Sequence, residues 1–247
     1  EEGARVVFPD AFPNSVRHWL LIGMLMALVG LLVTFVFTFL PNREMPMPHV
    51  LAFIICAVAM CAYYCMWAGV GVAFKTTDST PRVIFYAKYV DQVVTAPLVL
   101  LVLALIANAK AAVMVALVGN AILFVLAMLV AATLVAPYKY MWWCVAMMFY
   151  LVVCLLGWRL QKKSPSTTLR SLLILTFLSW TLYPFIWILG MEGTGALGLS
   201  QQVALTAIVD IIAKVVFSIM VVTAPLERGA LDDEEERVMR TRFSTVM

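Results

Sequence analysis

Charged residues are scarce in this chain of 247 residues, of which only 13% are Asp, Glu, Lys or Arg. Soluble domains contain about 25% charged residues, so the composition excludes a water-soluble globule. Hydrophobic residues make up 64% of the chain, and its mean hydropathy is +0.99. The net charge of +3 is small and gives no indication of nucleic-acid binding. The length therefore has to be divided into membrane crossings of about 20 apolar residues each.

Cysteine is also sparse, and all five cysteines lie inside apolar runs: Cys56, Cys61, Cys65, Cys144 and Cys154. Disulfide frameworks and metal clusters are expected in loops, so we interpret these residues as small hydrophobic side chains. Neither a disulfide scaffold nor a metal site is expected. A cleavable signal peptide is not expected either, because an acidic, Pro-containing segment precedes a first apolar run long enough for a full crossing.

Long apolar runs bounded by charges or by Pro, Gly and Asn are abundant. They cover residues 19–40, 50–74, 83–107, 111–135, 141–158, 171–190 and 200–224. Their solid, non-alternating pattern is unlike that of a membrane β-barrel. We predict an all-α integral membrane protein with a seven-transmembrane-helix bundle at 19–224. An extracellular segment, 1–18, precedes the bundle, and a cytoplasmic tail, 225–247, follows it.

Lys and Arg residues are distributed unevenly between the two sides of the predicted bundle. With an external amino terminus, the inner side holds ten: Arg43, Lys110, Arg159, Lys162, Lys163, Arg170, Arg228, Arg237, Arg240 and Arg242. The outer side holds five: Arg5, Arg17, Lys75, Arg82 and Lys139. The positive-inside rule therefore predicts an external amino terminus and a cytoplasmic carboxyl terminus. We expect the plasma membrane as the location.

Four charged residues remain inside the predicted crossings: Lys88, Asp91, Asp210 and Lys214. Two positive and two negative charges can be neutral as a set, which lowers the cost of keeping them in hydrocarbon. Lys88 and Asp91 are three residues apart, and Asp210 and Lys214 are four apart, so each pair shares a helix face. We expect the two faces to meet across one cavity. An architectural ion-pair network and a functional site both remain open at this point.

Lysine in an apolar pocket is a nucleophile for carbonyl compounds and forms Schiff bases. A protonated Schiff base needs a carboxylate counter-ion, and Asp91 and Asp210 are the two carboxylates inside the crossings. The sixth crossing contains Trp180, Tyr183, Pro184 and Trp187. The two tryptophans and the tyrosine between them would form a wall for a long, flat polyene, while the proline permits a kink. Packing or interfacial aromatics are the alternative interpretation.

Three motifs follow one another in a specific order. They are YAKYVDQVVTAPLVLLVL at 86–103, WTLYPFIW at 180–187 and AIVDIIAKVVF at 207–217. With these motifs the chain resembles the microbial (type 1) rhodopsins across essentially all seven crossings. The resemblance implies all-trans retinal bound covalently to Lys214 as a protonated Schiff base and isomerised by light to 13-cis. It also implies that Asp91 is the primary counter-ion and proton acceptor, that Asp210 is the second counter-ion, and that the Thr95 hydroxyl hydrogen-bonds Asp91.

The same resemblance implies which residues surround the retinal and where the chain departs from the family. The surrounding residues would be Gln92, Val99, Phe124, Trp143, Trp180, Tyr183, Pro184 and Trp187. Lys88 stands where the family usually has arginine, Gln92 where it commonly has tryptophan, and Ala96 where threonine is common. Glu192 matches one member of the family's proton-release pair, and Gln202 occupies the second position. We therefore expect proton release to be altered or late.

Val102 stands where proton pumps of the family usually have the carboxylic acid that returns a proton from the cytoplasm. The signature Asp91, Thr95, Val102 thus combines an acceptor with the absence of a donor. We predict a light-driven outward proton pump with slow reprotonation. A photosensory rhodopsin with a slow photocycle and a cytoplasmic signalling partner is the alternative, and a light-gated channel ranks third. Asp91 argues against a chloride pump, and the third helix lacks the sodium-pump pattern.

A seven-helix transporter or receptor without a chromophore is the remaining functional class. Such a protein would be colourless after retinal addition. No enzymatic activity is expected. Membrane lipid and protons are the expected partners. The apolar outer faces and the habit of the family favour a homo-oligomer, either a trimer or a pentamer.

Overall fold

Seven long crossings make up the computed structural model, which describes residues 12–40, 45–75, 82–164 and 166–224. Helices of 21 to 26 residues measure about 31–39 Å, enough to cross the hydrocarbon core of a bilayer. The predicted seven-helix membrane protein is confirmed in these residues. The first six helices are α1 Asn14–Phe39, α2 Met47–Trp67, α3 Tyr86–Ile106, α4 Ala111–Thr133, α5 Tyr138–Lys163 and α6 Thr167–Leu189. The seventh crossing comprises α7 Leu199–Asp210, a π-helical segment Ile211–Val216 and α8 Phe217–Thr223.

The helices form a ring in the order of the sequence. Each helix from α1 to α6 packs against its successor, and α1 packs against all three parts of the seventh crossing, which closes the ring. The third and seventh crossings are the most enclosed, whereas α5 is the least enclosed. Polar side chains on α3 and the seventh crossing are therefore the ones that reach the interior.

A small β-hairpin departs from the all-α prediction. Strand β1, Val72–Lys75, pairs antiparallel with β2, Arg82–Phe85, between α2 and α3. The predicted crossings 50–74 and 83–107 included residues of both strands, because these residues are as apolar as the adjoining helices. Gly69 and Gly71 follow α2 with φ values of 76° and 72°, a conformation that glycine adopts without strain. These two glycines end the second crossing earlier than its hydropathy suggests.

The hairpin is apolar because it is buried in protein rather than in lipid. Val72, Val83 and Phe85 belong to a buried cluster that also contains Phe12 and Tyr63. The aromatic rings of Phe12 and Phe85 stack with centroids 5.8 Å apart. The hairpin therefore covers one end of the bundle, above the α1, α2 and α7 helices.

Other boundaries also differ from the prediction. Helix α5 begins at Tyr138 rather than near Met141, and it includes Lys139. This lysine, which the sequence assigned to an outer connection, is buried. Helix α1 begins at Asn14, within the predicted extracellular segment 1–18. Outside the described residues lie the predicted tail 225–247, residues 1–11, and Arg5, Arg43, Arg228, Arg237, Arg240 and Arg242, which were used in the count of positive charges.

The π-helical segment has no obvious signal in the sequence. It runs from Ile211 to Val216 and contains Lys214, and Asp210 is the residue that precedes it. A π-helix forms i→i+5 hydrogen bonds, and such segments are frequent at functional sites. Lys214 is therefore presented to the interior by irregular backbone within an otherwise α-helical crossing.

Candidate functional site

A buried triad of charges lies at the centre of the bundle. Lys214 Nζ forms ion pairs with Asp91 Oδ2 of α3 and with Asp210 Oδ1, the latter at 2.8 Å. All three side chains are buried. Two carboxylates beside one ammonium group leave a net negative charge, and a buried ion cluster is tolerable only if hydrogen bonds satisfy the remaining oxygens. The site thus requires additional donors.

Two tyrosines supply those donors to Asp210. Tyr63 Oη of α2 donates to Asp210 Oδ2 at 2.7 Å, and Tyr183 Oη of α6 donates to Asp210 Oδ1 at 2.6 Å. Tyr183 was a predicted site residue, but Tyr63 was missed. Tyrosines are common at membrane interfaces, so nothing in the α2 sequence marks Tyr63 as a ligand of a carboxylate on the seventh crossing.

Asp91 has fewer partners than Asp210. Its Oδ2 atom contacts Lys214, but its Oδ1 atom is buried and has no hydrogen-bond partner within the described residues. The implied hydrogen bond from Thr95 to this carboxylate is not present, because Thr95 Oγ1 donates to the Asp91 backbone carbonyl at 2.9 Å instead. The hydroxyl of a helical threonine commonly donates to the backbone carbonyl oxygen four residues earlier. Asp91 is therefore the less saturated of the two carboxylates.

Lys88 does not belong to the central triad, so the expected neutral set of four charges is wrong. Lys88 Nζ pairs with Glu192 Oε2 at 3.0 Å and lies 4.7 Å from the ring centroid of Tyr89. Glu192 also accepts hydrogen bonds from Tyr89 Oη at 2.9 Å and from Gln202 Nε2 at 3.0 Å. Spacing along α3 placed Lys88 on the same face as Asp91, but a long lysine side chain reaches a separate carboxylate at the hairpin end.

Two buried cations complete this end of the bundle. Arg82 donates to the carbonyl oxygens of Glu192 at 2.9 Å and Leu134 at 2.8 Å. Lys139 donates to the carbonyl oxygens of Glu192, at 3.2 Å, and Gly193. Sequence reasoning treated both cations as outer-side charges and gave them no role. They connect the hairpin, the α4–α5 connection and the α6–α7 connection.

A cavity of about 470 Å³, partly open to the exterior, reaches Lys214 from the middle of the bundle. Five of the eight predicted surrounding residues line it together with Lys214: Gln92, Val99, Phe124, Trp180 and Tyr183. The other lining residues are Thr95, Ala96, Val125, Met128 and Ala213. The wall is thus mainly apolar and is bounded at one end by the Lys214 side chain.

Three predicted surrounding residues are not among those that line the cavity. Trp143 Nε1 donates to the Pro184 carbonyl oxygen at 3.3 Å, which links α5 to α6 beside the cavity. Trp187 Nε1 donates to Tyr89 Oη at 3.1 Å. The indole of Trp187 is therefore oriented by the hydrogen bonds of the Glu192 cluster. A direct contact of Trp143, Pro184 or Trp187 with a chromophore stays a prediction.

These residues fit an elongated apolar aldehyde such as retinal. Ligand pockets usually have apolar walls with few polar groups, and the wall of this cavity has that character. A buried lysine at the cavity wall supplies an attachment atom, and the unpartnered Asp91 Oδ1 supplies hydrogen-bonding capacity for a polar or charged group placed there. The residues present therefore fit a covalently bound, positively charged chromophore.

Comparisons with known proteins agree with this geometry. The sequence model of the family described as "Bacteriorhodopsin-like protein" matches residues 14–227. Archaerhodopsin-3 of Halorubrum sodomense is 31% identical over 238 residues, which cover 92% of this chain and 89% of that protein. The structure of the light-driven proton pump Coccomyxa subellipsoidea rhodopsin is 25% identical with a TM-score of 0.83, covering 87% of this chain and 98% of that one. Thermophilic rhodopsin from Rubrobacter xylanophilus is 27% identical with a TM-score of 0.78, covering 84% and 95%. The chain belongs to the bacteriorhodopsin-like protein family, and this membership implies a retinal chromophore.

Proposed function

We propose that the protein is a light-driven pump that moves protons outward and that its retinal is attached to Lys214 Nζ. The observation that supports this most strongly is the unequal pair of carboxylates around Lys214: among the described residues, Asp91 has one oxygen without a hydrogen-bond partner, whereas both oxygens of Asp210 accept hydrogen bonds. Relatives described as light-driven proton pumps support the same activity. The proposed activity is transport rather than enzymatic turnover.

When bound, retinal supplies light absorption and the isomerisation that alters the surroundings of the proton on Lys214 Nζ. Asp91 is the proposed acceptor of that proton, because its carboxylate contacts Nζ directly and its Oδ1 is unpartnered within the described residues. Asp210 is the proposed permanent counter-ion. The hydroxyls of Tyr63 and Tyr183 donate to both of its oxygens, so its hydrogen-bonding capacity is already used.

The proposed signature Asp91, Thr95, Val102 explains a slow return of the proton. Val102 is completely buried in an apolar cluster with Leu103, Leu172 and Phe217. None of these side chains can donate a proton. In the absence of a carboxylic donor at this position, we expect the cycle to be limited by the step in which Lys214 Nζ regains its proton.

The Glu192 cluster is the proposed outer end of the proton path. Lys88, Tyr89 and Gln202 all donate to the Glu192 carboxylate. Because these oxygens already accept hydrogen bonds from three side chains, we expect proton release to be altered or late. The proposed orientation has the hairpin outside and the carboxyl terminus in the cytoplasm, in the plasma membrane, because Lys110, Lys162 and Lys163 lie at the opposite end.

A photosensory function is the second candidate, and Val102 is the observation that favours it. A slow proton return would prolong any light-activated state, which suits signalling to a cytoplasmic partner. The two functions differ in whether protons cross the membrane. A light-gated channel remains third, since the described crossings have mainly apolar interiors.

Illumination of intact cells in unbuffered medium tests the proposal. We expect acidification of the medium that an uncoupler abolishes, and no acidification with Lys214→Ala, which cannot bind retinal covalently. A coloured wild-type protein that produces no pH change would contradict the pump and support the sensor. A colourless protein after retinal addition would contradict the whole assignment.

A further inference from the structure

A buried valine, Val102, occupies the position at which a carboxylic acid would supply a proton to Lys214. Val102 is surrounded by apolar residues of α3, α6 and α8, and the same cluster contains Leu100, Leu169, Val221 and Val222. An apolar region of this kind offers no groups that can hand a proton along. A face of the bundle that has buried polar groups is a better path for the returning proton.

Buried polar groups do occur on the face formed by α1, α2 and the seventh crossing. Ser218 lies four residues after Lys214, and its side chain is completely buried. The completely buried Cys56 thiol of α2 lies beside the hydroxyls of Ser218 and Thr34. Buried side chains that can both donate and accept a proton are thus neighbours on this face.

Thr34 of α1 is the next polar side chain on this face. Its Oγ1 atom lies 2.8 Å from the Gly30 carbonyl oxygen and 3.0 Å from that of Leu31, so its hydroxyl can change partners. Gly30 allows α1 to approach closely, because an added Cβ would lie 3.0 Å from Cys56 Sγ and 2.9 Å from Val215 Cγ1. The close approach brings Thr34 of α1 next to the thiol.

The last members of this series are Thr38 and the titratable His49, near the inner end of α2. Thr38 is one turn beyond Thr34, and its Oγ1 lies 3.5 Å from the His49 carbonyl oxygen. His49 is half-buried, and neither ring nitrogen has a hydrogen-bond partner within the part of the chain that is described. Seven residues separate His49 from Cys56, which corresponds to about 10 Å along the helix. Thr34 and Thr38 lie alongside this interval.

We propose that these residues form the route by which a proton returns from the inner solution to Lys214 Nζ. From the inner end, its members are His49, Thr38, Thr34, Cys56 and Ser218. Each hydroxyl or thiol donates its own proton to the next group and receives one from the group before it, with water between neighbours that do not touch. The net transfer is one proton from solution to Lys214 Nζ. His49 is the titratable member, and its imidazole takes up the proton at the inner end of the route and passes it on.

The inference rests on the proposed function, since Lys214 Nζ needs a returning proton only if it loses one during the cycle. Cys56→Ala removes one link, whereas Cys56→Ser keeps a group that donates and accepts. The matched control is Thr176→Val, which removes a buried hydroxyl of α6 outside the proposed route; this hydroxyl has no hydrogen-bond partner among the described residues. Flash absorption spectroscopy of the purified pigment measures the rate at which the proton returns.

We expect Cys56→Ala to slow the return at least about tenfold, and Cys56→Ser and Thr176→Val to leave it nearly unchanged. A small permeant weak acid should restore the rate of Cys56→Ala, because it delivers protons without the route. If Cys56→Ala does not fold, Thr34→Val tests the same route with an isosteric change. Slowing by Thr176→Val but not by Cys56→Ala or Thr34→Val would overturn the proposal and assign the return to α6.

A second readout needs neither retinal nor transport. Infrared spectroscopy follows the S–H band of Cys56 in retinal-free protein after transfer to D₂O, and the difference from Cys56→Ala identifies the band. We expect Thr34→Val and His49→Gln to slow deuteration of this buried thiol, and Thr176→Val to leave it unchanged. An exchange rate that Thr34→Val does not alter would overturn the route.

The two proposals can fail separately. If the variants slow thiol exchange and proton return but wild-type cells do not acidify the medium, the route stands and the pump is wrong. If cells acidify the medium while Cys56→Ala and Thr34→Val change neither rate, the pump stands and the route is wrong.

Discussion

Asp91 and Asp210 are the same residue type on facing crossings, yet their surroundings differ. Asp210 accepts hydrogen bonds from two tyrosines in addition to its ion pair, whereas Asp91 has one oxygen without a partner in the described residues. The difference lies in the neighbours, because each aspartate also pairs with Lys214. We infer that hydrogen-bond supply rather than proximity determines which carboxylate receives the proton.

Asp91→Asn tests this division of roles. We expect the absorption maximum to shift to longer wavelength, because a neutral amide stabilises the proton on Lys214 Nζ less than a carboxylate does. Proton transport should fall by at least about a hundredfold, the usual contribution of a positioned acid or base. Absorption spectra and a pH electrode give the two readouts. An unchanged spectrum would show that Asp91 is not the counter-ion.

Val102→Asp tests the missing donor. A carboxylic acid at this position should accelerate the return of the proton to Lys214 Nζ by at least about tenfold. Val102→Asn is the matched control, since it is polar and similar in size but has no acidic proton. Flash absorption spectroscopy distinguishes the two variants. Equal rates in Val102→Asp and wild type would mean that the apolar cluster on the inner side of residue 102 blocks access.

The central residues could be predicted from the sequence only in part. Asp91, Asp210 and Lys214 are visible because a charge stands out in an apolar run. Lys88 is equally conspicuous in the sequence, but its partner, Glu192, cannot be identified there. The reason is that a lysine side chain is long enough to reach past more than one turn of helix. Tyr63 and Tyr89 are invisible as ligands, because tyrosine has many roles in membrane helices.

At the scale of the helices, hydropathy identifies the crossings but not their exact ends. The seven predicted runs correspond to seven helices within the described residues. Hydropathy does not distinguish burial in lipid from burial in protein, and for this reason the strands Val72–Lys75 and Arg82–Phe85 were assigned in part to helices. Backbone irregularities such as the π-helical segment depend on tertiary packing and could not be predicted.

Gly23→Ala tests how helix packing positions a side chain of the site. A Cβ at residue 23 of α1 would overlap the ring of Tyr63, and Tyr63 would have to move away from Asp210. We expect a loss of about 1–3 kcal/mol in the free energy of unfolding, together with a shift in absorption similar to that of Tyr63→Phe. Denaturant titration and absorption spectra measure the two effects.

Gly119→Ala is the matched control for this change. Gly119 lies within α4, and an added Cβ would have no atom within 4 Å. Alanine should therefore be neutral or should stabilise the helix by about 0.5–1 kcal/mol. If Gly23→Ala behaved in the same way as Gly119→Ala, the contact between α1 and the Tyr63 ring would not position this tyrosine.

At the scale of the whole molecule, the Glu192 cluster connects parts of the chain that are far apart in sequence. Glu192 receives side-chain donors from α3 and α7, and its carbonyl oxygen receives Arg82 and Lys139. The hairpin, α5 and the α6–α7 connection are thereby held at one end of the ring. We expect this cluster to determine the stability of that end.

Glu192→Gln tests the contribution of the cluster. It leaves Lys88, whose side chain is 13% exposed, without its carboxylate, and removal of one partner of a buried pair costs about 3–5 kcal/mol. The double variant Lys88→Met/Glu192→Gln should recover much of this loss, because it leaves no unpaired charge. Denaturant unfolding of the wild type, of Glu192→Gln, of Lys88→Met and of the double variant gives the coupling energy. A single variant as stable as wild type would show that the ion pair contributes nothing.

The outer surface of the ring is apolar along its length. Large hydrophobic side chains are exposed on α1, α5 and α6, among them Leu32, Met148 and Leu178. In a membrane these side chains contact lipid or a neighbouring protomer. The predicted trimer or pentamer stays a prediction, and mass measurement in a lipid nanodisc would determine the number of protomers.

The π-helical segment changes the angular positions, around the helix axis, of the residues that follow it in the seventh crossing. Buried residues recur once per turn at Val203, Ala207, Asp210, Lys214, Ser218 and Val222. An α-helix completes five turns in about 18 residues, so the last of these positions falls about one residue late. A variant in which Ile211–Val216 formed a regular α-helix would rotate α8 by about 100° relative to α7. Position 218 would then turn away from Cys56 while Asp210 kept its place. The orientation of the α8 side chains therefore depends on the π-helical segment.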